Sequence, residues 1–454
     1  MKKVLIVAYH FPPISTIGAM RPLAFCRHLP AFGWAPRVLA ADPRSVTPPL
    51  PLDQELAARI PAGTRVDRIA HSNPVATMSR LRDGLRRRMQ VQSEVNVARA
   101  PGAPSSPLSV LKELTLQHLF QIPDAQRWWQ GPAVRAGLCG ERPDVVYATG
   151  GPWTALLVGR SLAQHFQVPF IADFRDPWTR NPFRQYRSSV WQRNRRLEGE
   201  VCRAAARVVT NTPQLRQGFA DDYPDIREKF VTISNGFDTT DQGAHEGLPE
   251  QERRGEVPPP LLELWHFGTI YGKRSPTALL TAIAELVEKG VLHAGSLRIR
   301  FVGRWEVDED DPSSRQARLL GELGIVTRES EVPHRTCLAL MSRAQALLVI
   351  QPGSPLQIPG TLYEYIATRR PLVLIGGEGA TADLVTRQGL GRCCSNDIES
   401  IQRLLVELRN GDGLTLPSAE AVERFEYRQL TGQLADLFST SLNGHSLRLR
   451  AAVA

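Results

Sequence analysis

Short apolar runs separated by helix-length segments are the feature that most restricts the fold of this chain. In the first half these runs occupy 3–9, 37–41, 144–150, 169–174, 207–212 and 230–236. The segments between them, such as PWTALLVGRSLAQHF, carry apolar residues at helical spacing. Strands that alternate with helices form parallel sheets covered on both faces. The sequence therefore predicts the α/β fold class.

The same alternation starts again in the second half, where apolar runs occupy 261–268, 297–303, 346–350 and 371–375, with a polar-alternating segment at 327–332 and a short segment at 391–394. A stretch rich in Gly, Glu and Pro, ending in three consecutive prolines, separates the two series. At 454 residues, the chain is long enough for two domains with separate cores. We therefore predict two α/β domains facing each other across a cleft. The first domain comprises 1–240, a linker follows at 241–260, and the second domain comprises 261–425. A helix at 426–441 then returns to the first domain.

The composition is typical of a globular protein, with 42% apolar and 22% charged residues. No apolar run approaches the roughly 20 residues of a membrane-spanning helix. The run that follows Lys2 and Lys3 is too short for a signal peptide, which favours a cytoplasmic protein. The six cysteines have no CxxC spacing and no neighbouring His that completes a metal site, which indicates reduced, buried residues.

The net charge of +9 favours anionic ligands or surfaces. Part of this charge lies at 80–107, a basic and then Pro/Ala/Ser-rich excursion that interrupts the α/β pattern. Such a segment is either a solvated loop or a contact with the anionic inner face of a membrane, where the protein would be peripheral. Nucleic acid is not expected as a partner, because the sequence contains no recognised nucleic-acid-binding module.

Candidate ligand-binding residues follow the predicted strands of the first domain. In parallel α/β folds, strand carboxyl ends and the amino ends of the next helices face the ligand crevice. After the first strand, Gly18 allows close approach of a ligand to the backbone, and Arg21 adds positive charge. After PFIADF, Asp173 and Asp176 flank Arg175, so one carboxylate could remain ionised and act as a base. A salt bridge within this segment is the alternative.

Three strand ends of the second domain carry glycine with a basic residue or a carboxylate. The first two supply Gly268, Thr269, Lys273, Arg274, Gly303 and Arg304. The third, IPGTLYEYIATRRP, supplies Gly360, Thr361, Leu362 and Glu364 around a predicted helix start. The two carboxylate oxygens of Glu364 could accept both hydroxyls of a ribose cis-diol, although a solvated glutamate on a helix face is the alternative. Together these positions predict a nucleotide-diphosphate site.

The ordered motifs FPP…GAMRP, TGGPWTALLVG, ADFRDPW, NTP, ISNGFD, HFGTIYGKRSP, FVGR and IPGTLYEYIATRRP resemble those of the glycosyltransferase family 4-like group, which has the GT-B fold. The resemblance covers residues 2–438. It implies two Rossmann-like α/β domains and transfer of sugar from a nucleotide-diphosphate sugar to a hydroxyl of a sugar or lipid-linked acceptor. Synthesis of a cell-surface polysaccharide or glycolipid is the implied setting. The second domain would bind the donor and the first mainly the acceptor.

The resemblance also implies roles for individual residues. Glu364 would bind the donor ribose, Arg274 with Lys273 would neutralise the diphosphate, and Gly18 would lie against the donor phosphates. Basic side chains and helix termini would stabilise the departing diphosphate. We therefore expect no metal, and no cofactor besides the nucleotide-sugar substrate.

Three positions depart from the family pattern. Leu356 stands where retaining members have the first glutamate of a Glu-x7-Glu pair, Thr361 stands where relatives commonly have lysine, and Thr269 stands where a basic residue usually follows the glycine. The catalytic group of the first domain is not plainly matched; Asp173 is the best positional candidate and Asp176 the second. Two alternatives to the metal-independent transferase therefore remain open: a GT-B-fold protein that binds or regulates without transfer, and a sugar-nucleotide epimerase.

Overall fold

The computed structural model describes residues 1–72, 122–182, 184, 186–239, 261–353, 355–412 and 414–453. The side chains of Lys273 and of residues 446–453 lie outside this description. So do the basic excursion predicted at 80–107 and the linker predicted at 241–260. The chain divides into two compact units: unit 1 comprises Met1–Thr210, Gly218–Ile233 and Thr431–Ala454, and unit 2 comprises Asn211–Gln217 and Ser234–Leu430.

Unit 1 is built on a parallel sheet. Its strands are β1 (Lys2–Val7), β2 (Trp34–Ala41), β3 (Arg65–Ile69), β4 (Val145–Thr149), β5 (Phe170–Phe174), β6 (Arg207–Thr210) and β7 (Phe230–Thr232). In the described part of the chain they lie in the order β3-β2-β1-β4-β5-β6-β7, and every pairing is parallel. Every residue of β4 and β5 is buried, as expected for central strands covered on both faces.

Helices connect the strands of unit 1. They are α1 (Ile17–His28), α2 (Gln54–Ala58), α3 (Gln130–Leu138), α4 (Thr154–Phe166), α5 (Ser188–Ala204) and α6 (Pro213–Asp222). The last helix of the chain, α14, spans Tyr427–Val453. Its residues from Thr431 onward belong to unit 1. There Phe438 packs edge-on against Trp34, with ring centroids 5.2 Å apart. This helix continues beyond the predicted end at 441.

Unit 2 contains a second parallel sheet. Its strands are β8 (Leu262–Phe267), β9 (Ile270–Tyr271), β10 (Leu297–Val302), β11 (Trp305–Glu306), β12 (Val326–Glu329), β13 (Ala346–Ile350), β14 (Leu372–Ile375) and β15 (Gly391–Cys394). Six of them lie in the order β12-β10-β8-β13-β14-β15, while β9 pairs with β11. All of these pairings are parallel.

Apolar residues fill both faces of the unit 2 sheet. The helices are α7 (Thr277–Glu288), α8 (Pro312–Glu322), α9 (His334–Met341), α10 (Gly360–Ala367), α11 (Ala380–Arg387), α12 (Ile398–Arg409), α13 (Ala419–Glu423) and the start of α14, up to Leu430. Leu264 and Leu348 belong to one apolar cluster, whereas the adjacent Trp265 and Leu347 belong to the other. This alternation follows from the two-residue period of a strand and shows that both faces are covered.

The structure confirms the predicted α/β class with two parallel sheets. Strand β3 was not predicted, because its residues are partly exposed and alternate with charges instead of forming an apolar run. The segment predicted as a strand at 327–332 is extended only over Val326–Glu329. The prediction of buried cysteines is confirmed for Cys26 and Cys202 and was wrong for Cys139, which is exposed; the other three are partly buried. Among the described residues, no helix combines the length and apolar character needed to cross a membrane.

Candidate functional site

The strand order of unit 2 identifies the edge of the sheet where a ligand would bind. From β8 the chain runs outward through β10 to β12, and then returns to β13 on the other side of β8. The connections that leave β8 and β13 therefore diverge, which opens a crevice at the carboxyl ends of these strands. The loop after β8 carries 268–274 and the loop after β13 leads into α10. Most of the predicted donor-site residues thus lie at this edge.

Gly268 and Gly303 lie against each other at the ends of the neighbouring strands β8 and β10. Their φ angles are +132° and +142°, in the region that favours glycine. A Cβ added to Gly303 would lie 2.9 Å from the carbonyl carbon of Gly268, and closer still to its oxygen. Apart from its chain neighbours, a Cβ added to Gly268 would have one described heavy atom within 4 Å, Nε2 of His266 at 4.0 Å. The backbone at Gly268 therefore borders open space, and Gly303 permits that backbone to approach.

We expect Gly303→Ala to lower the free energy of unfolding by about 1–3 kcal/mol, because strain at positive φ and overlap with neighbouring backbone are each of that order. Chemical denaturation would measure the change. Gly272→Ala is the matched control, since its added Cβ would have no described heavy atom within 4 Å apart from its chain neighbours. Equal destabilisation by the two substitutions would contradict the close packing at Gly303.

Arg274 and Arg304 differ in what neutralises their charge. Arg304 forms ion pairs with Glu331 at 2.9 Å and with Glu306 at 3.9 Å. Arg274 instead lies over the ring of Tyr271, 5.5 Å from its centroid, and no ion pair to Arg274 occurs within the described ranges. A guanidinium without a carboxylate partner at a strand end is suited to an anionic ligand. Arg274 is therefore the stronger candidate for a phosphate contact.

A cavity of about 550 Å³ opens beside the two glycines, within the size range of small-ligand sites. Its lining contains three predicted residues, Gly268, Gly303 and Arg304. The other lining residues are Ile270, Phe301, Trp305, Glu306, Arg328, Glu329, Ser330 and Glu331. The cavity lies on the β10 and β12 side of β8, whereas Arg274 and Glu364 are not part of its lining.

Glu364 lies in α10, with its carboxylate beside the start of α9. Its Oε1 atom is 2.9 Å from Nε2 of His334, and 31% of the Glu364 side chain is exposed. Leu362 is buried, while Gly360 and Thr361 in the first turn are partly exposed. His334, which lies 30 residues before Glu364, is not among the predicted site residues. The one sequence signal that could have identified His334 as a site residue is its position at a helix start, after β12.

His266 is held in its neutral form at the end of β8. Its Nδ1 atom lies 3.0 Å from the carbonyl oxygen of Leu348, on the adjacent strand. Burial lowers the pKa of His266 to about 4; the hydrogen bond to Leu348 opposes this shift, and the positive charge of Arg274 adds to it. The imidazole therefore serves as an uncharged hydrogen-bonding group at neutral pH.

We expect the free energy of unfolding to decrease as the pH is lowered, because His266 stays neutral in the folded protein. Well above pH 6.5 the imidazole is neutral in both the folded and the unfolded chain. As the pH falls from 6.5 towards 4, the unfolded chain binds a proton that the folded chain does not, so the free energy of unfolding decreases by up to about 3 kcal/mol. Denaturation of the wild type and His266→Gln over this range should show a smaller decrease for the variant. If the free energy of unfolding decreased equally in the wild type and in the variant, the low pKa of His266 would be contradicted.

Arg21 and Asp173 form a buried ion pair in unit 1. Nε and Nη2 of Arg21 donate to the two carboxylate oxygens of Asp173 at 2.9 and 3.0 Å. The hydroxyl of Tyr147 donates to the same carboxylate at 2.5 Å. The two charged side chains are only 2% and 0% exposed. Since neither is accessible to a substrate, the geometry favours a structural role for both over the predicted phosphate contact and the predicted catalytic role.

Arg175, which was not predicted as a site residue, lies against Gly18. Its Nε and Nη2 atoms donate to the carbonyl oxygens of Gly150 and Gly151 at 3.1 and 2.5 Å. A Cβ added to Gly18 would lie within 2.8 Å of this guanidinium. The positive charge beside the start of α1 therefore comes from Arg175, where the sequence had suggested Arg21. Asp176 is 3.9 Å from Arg175 and 40% exposed, which makes it the accessible carboxylate of DFRDPW.

A buried carboxylate fixes the segment that follows β5. Glu198 of α5 accepts hydrogen bonds from the backbone N–H and the hydroxyl of Thr179, both at 2.9 Å, and from the hydroxyl of Tyr223 at 2.9 Å. Burial raises the pKa of Glu198, while these hydrogen bonds and the charge of Arg195 oppose the shift. Glu198 thereby positions the loop that carries Asp176. Glu198 is not among the predicted site residues, because it lies in a charged helix, where most acidic residues are solvated.

Known proteins share both sequence features and fold with this chain. Residues 85–241 match the family described as Glycosyltransferase Family 4. The structure resembles HepE of Anabaena, solved with UDP and glucose, at a TM-score of 0.57 and 15% identity, covering 97% of this chain and 100% of that one. No curated protein sequence matches this chain.

Two further solved structures have the same architecture. A glycosyltransferase from Rickettsia africae has a TM-score of 0.53 and 13% identity, covering 97% of this chain and 98% of that one. Sucrose-phosphate synthase from Thermosynechococcus elongatus has a TM-score of 0.56 and 12% identity, covering 98% of this chain and 100% of that one. Identities this low establish the fold, and the family match adds the sequence relationship. Residues 85–241 are therefore similar to Glycosyltransferase Family 4, and the chain has the GT-B fold of these solved structures.

Proposed function

We propose that this protein transfers a sugar from a nucleotide-diphosphate sugar to an acceptor hydroxyl. The observation that carries the proposal is the grouping of Gly268, Gly303, Arg274 and Glu364 at the strand ends and following helices of unit 2. Glycine backbone and a guanidinium suit a diphosphate, and a carboxylate suits a ribose diol. The match of residues 85–241 to a glycosyltransferase family supports the same function.

The proposed chemistry assigns Arg274 to the leaving group. As the bond between the sugar and the diphosphate breaks, negative charge grows on the diphosphate, and a preorganised cation stabilises it. Arg274 is suited to this role because no described carboxylate neutralises it. We propose Asp176 as the carboxylate that would receive the proton of the acceptor hydroxyl, because it is exposed whereas Asp173 is buried. The proposal requires no metal ion, and activity should therefore survive chelation by EDTA.

A thermal-shift panel of nucleotide-sugars tests the donor class. HepE was solved with UDP and with UDP-glucose, so uridine nucleotides are the first probes. A ligand that binds only the folded protein raises its melting temperature by mass action, by an amount that grows with concentration. We expect at least one nucleotide-sugar to do so and then to be consumed when an acceptor is added. The absence of any shift across the panel would contradict the proposal.

Turnover assays separate the alternatives once a donor binds. Binding without transfer to any acceptor in a broad set would favour a regulatory or binding protein, in keeping with the aliphatic Leu356 and with Thr361. Interconversion of epimers without an acceptor would favour an epimerase. Formation of a new glycosidic bond with release of the nucleoside diphosphate would support the transferase.

We further propose that the acceptor is sugar or lipid-linked and that the protein works at the anionic inner face of a membrane, in polysaccharide or glycolipid synthesis. Support comes from α5, where Trp191 is 42% exposed and lies between the exposed Arg187 and the exposed Arg193 and Arg196. An exposed tryptophan among arginines suits a membrane interface. We expect salt-sensitive sedimentation with anionic vesicles that Trp191→Ala weakens. Equal recovery with neutral and anionic vesicles would contradict this.

A further inference from the structure

We infer that His266 accepts a hydrogen bond from a hydroxyl of the sugar carried by the donor, and thereby helps to select that sugar. This inference rests on the proposed function, because it assigns a specificity-determining residue within the same donor site.

The hydrogen bond to the neighbouring strand fixes which nitrogen of His266 can accept. Nδ1 lies 3.0 Å from the carbonyl oxygen of Leu348, which can only accept, so Nδ1 carries the proton. In a neutral imidazole the other nitrogen then has a lone pair and no hydrogen. Nε2 is therefore a hydrogen-bond acceptor whose direction is set by the bond between β8 and β13.

This acceptor has no partner in the protein. His266 is only 6% exposed, and its Nε2 atom makes no hydrogen bond within the described part of the chain. A buried polar atom without a partner costs about 1–3 kcal/mol, so such atoms call for an explanation. Nε2 is also the one described heavy atom within 4 Å of a Cβ built on Gly268, which lines the 550 Å³ cavity. The lone pair thus lies beside Gly268, a residue that lines this cavity.

A second buried acceptor lies at the end of the adjacent strand. Gln351 directly follows β13, is 7% exposed, and has no hydrogen bond to Oε1 among the described residues. The ends of β8 and β13 are the point where the connections of the sheet diverge. Two unpartnered acceptors flanking this point indicate a ligand that carries several hydrogen-bond donors.

Few groups of a nucleotide-sugar could donate a hydrogen bond to Nε2 of His266. Phosphate oxygens at neutral pH are acceptors and cannot donate to a lone pair. The remaining donors are the sugar hydroxyls, the ribose hydroxyls and the N–H groups of the base. Arg274, the proposed diphosphate ligand, is close enough to His266 for its charge to lower the pKa of the imidazole. The transferred sugar is joined directly to the diphosphate, and the ribose diol is assigned to Glu364, so a sugar hydroxyl is the group that fits.

Binding measurements on His266→Phe test the inference. We compare the affinities of the wild type and the variant for a nucleoside diphosphate and for the nucleotide-sugar identified by the panel. We expect the nucleotide-sugar to bind about tenfold more weakly to His266→Phe, and the nucleoside diphosphate to bind equally well. His266→Gln should recover part of the loss, because its amide can donate to Leu348 while its oxygen accepts. Equal weakening of both ligands, or no weakening of either, would overturn the inference.

Two further measurements keep the test independent of the stability of the variant. In the free wild type, long-range proton–nitrogen NMR correlations should show an unprotonated Nε2, whose resonance shifts with the nucleotide-sugar and not with the nucleoside diphosphate. Among nucleotide-sugars that each lack one sugar hydroxyl, one should bind the wild type and His266→Phe equally. A protonated Nε2 in the free protein would overturn the inference. Failure of the wild type to bind any nucleotide-sugar would instead overturn the proposed function on which the inference rests.

Discussion

Arg21→Ala should lower the free energy of unfolding of unit 1 by about 3–5 kcal/mol, because removing one partner of a buried pair leaves an uncompensated buried charge. Asp173 is 0% exposed and would retain Tyr147 as its side-chain donor. Urea denaturation followed by tryptophan fluorescence would measure the loss. Arg196→Ala is the matched control: it removes an ion pair with Glu200 one helical turn away, in which Arg196 is 83% exposed, and should change stability by less than about 0.5 kcal/mol.

The same pair allows a test of which aspartate serves the chemistry. If Asp173 is structural, Asp173→Asn should destabilise unit 1 but leave the activity per folded molecule within a few-fold of the wild type. Asp176→Asn should have the opposite profile, with little loss of stability and a decrease in kcat of about 10²-fold or more, typical for loss of a general base. If Asp173→Asn lost kcat under conditions where the variant is fully folded, Asp173 would instead have the catalytic role that its sequence position suggested.

The parts of the fold that the sequence predicted are those set by local composition. β4, β5 and β13 are buried along their whole length and therefore read as continuous apolar runs. The edge strand β3 faces solvent along part of its length, so its RVDRI sequence lacks that signal. β9 and β11 span two residues each, which is too short for any period to be recognised.

In the candidate site, too, features set by local sequence could be predicted and contacts between distant residues could not. Gly268 and Gly303 could be predicted, because a glycine directly after an apolar run marks a strand end where the backbone needs positive φ. Side-chain partnerships could not, because they join residues far apart in the chain. Arg21 and Asp173 are separated by 152 positions, and His334 and Glu364 by 30. The sequence thus located the charges, but only the fold shows that Arg21 is neutralised in the core and that Arg175 lies beside Gly18.

Glu364→Ala should weaken the binding of the donor nucleotide by about 10²- to 10³-fold. The proposed contact is a pair of hydrogen bonds from the ribose hydroxyls to an ionised carboxylate, each contributing about 1.5–3 kcal/mol. Oε1 of Glu364 already contacts His334, and no hydrogen bond to Oε2 occurs in the described portion of the chain. Isothermal titration calorimetry with the nucleoside diphosphate would measure the loss. Glu423→Ala, which removes an exposed carboxylate paired with Arg369, should leave the affinity unchanged.

A 2′-deoxy nucleotide distinguishes a ribose contact from a general loss of negative charge. The wild type should bind the 2′-deoxy form more weakly than the ribose form, whereas Glu364→Ala should bind both equally, because the variant has no carboxylate to accept the second hydroxyl. His334→Ala should retain the discrimination with a loss of affinity below about tenfold, since His334 contacts Glu364 and would orient it without touching the ribose. If Glu364→Ala still discriminated against the 2′-deoxy form, the ribose contact would have to come from another residue, and Glu364 would be the solvated helix-face carboxylate of the alternative interpretation.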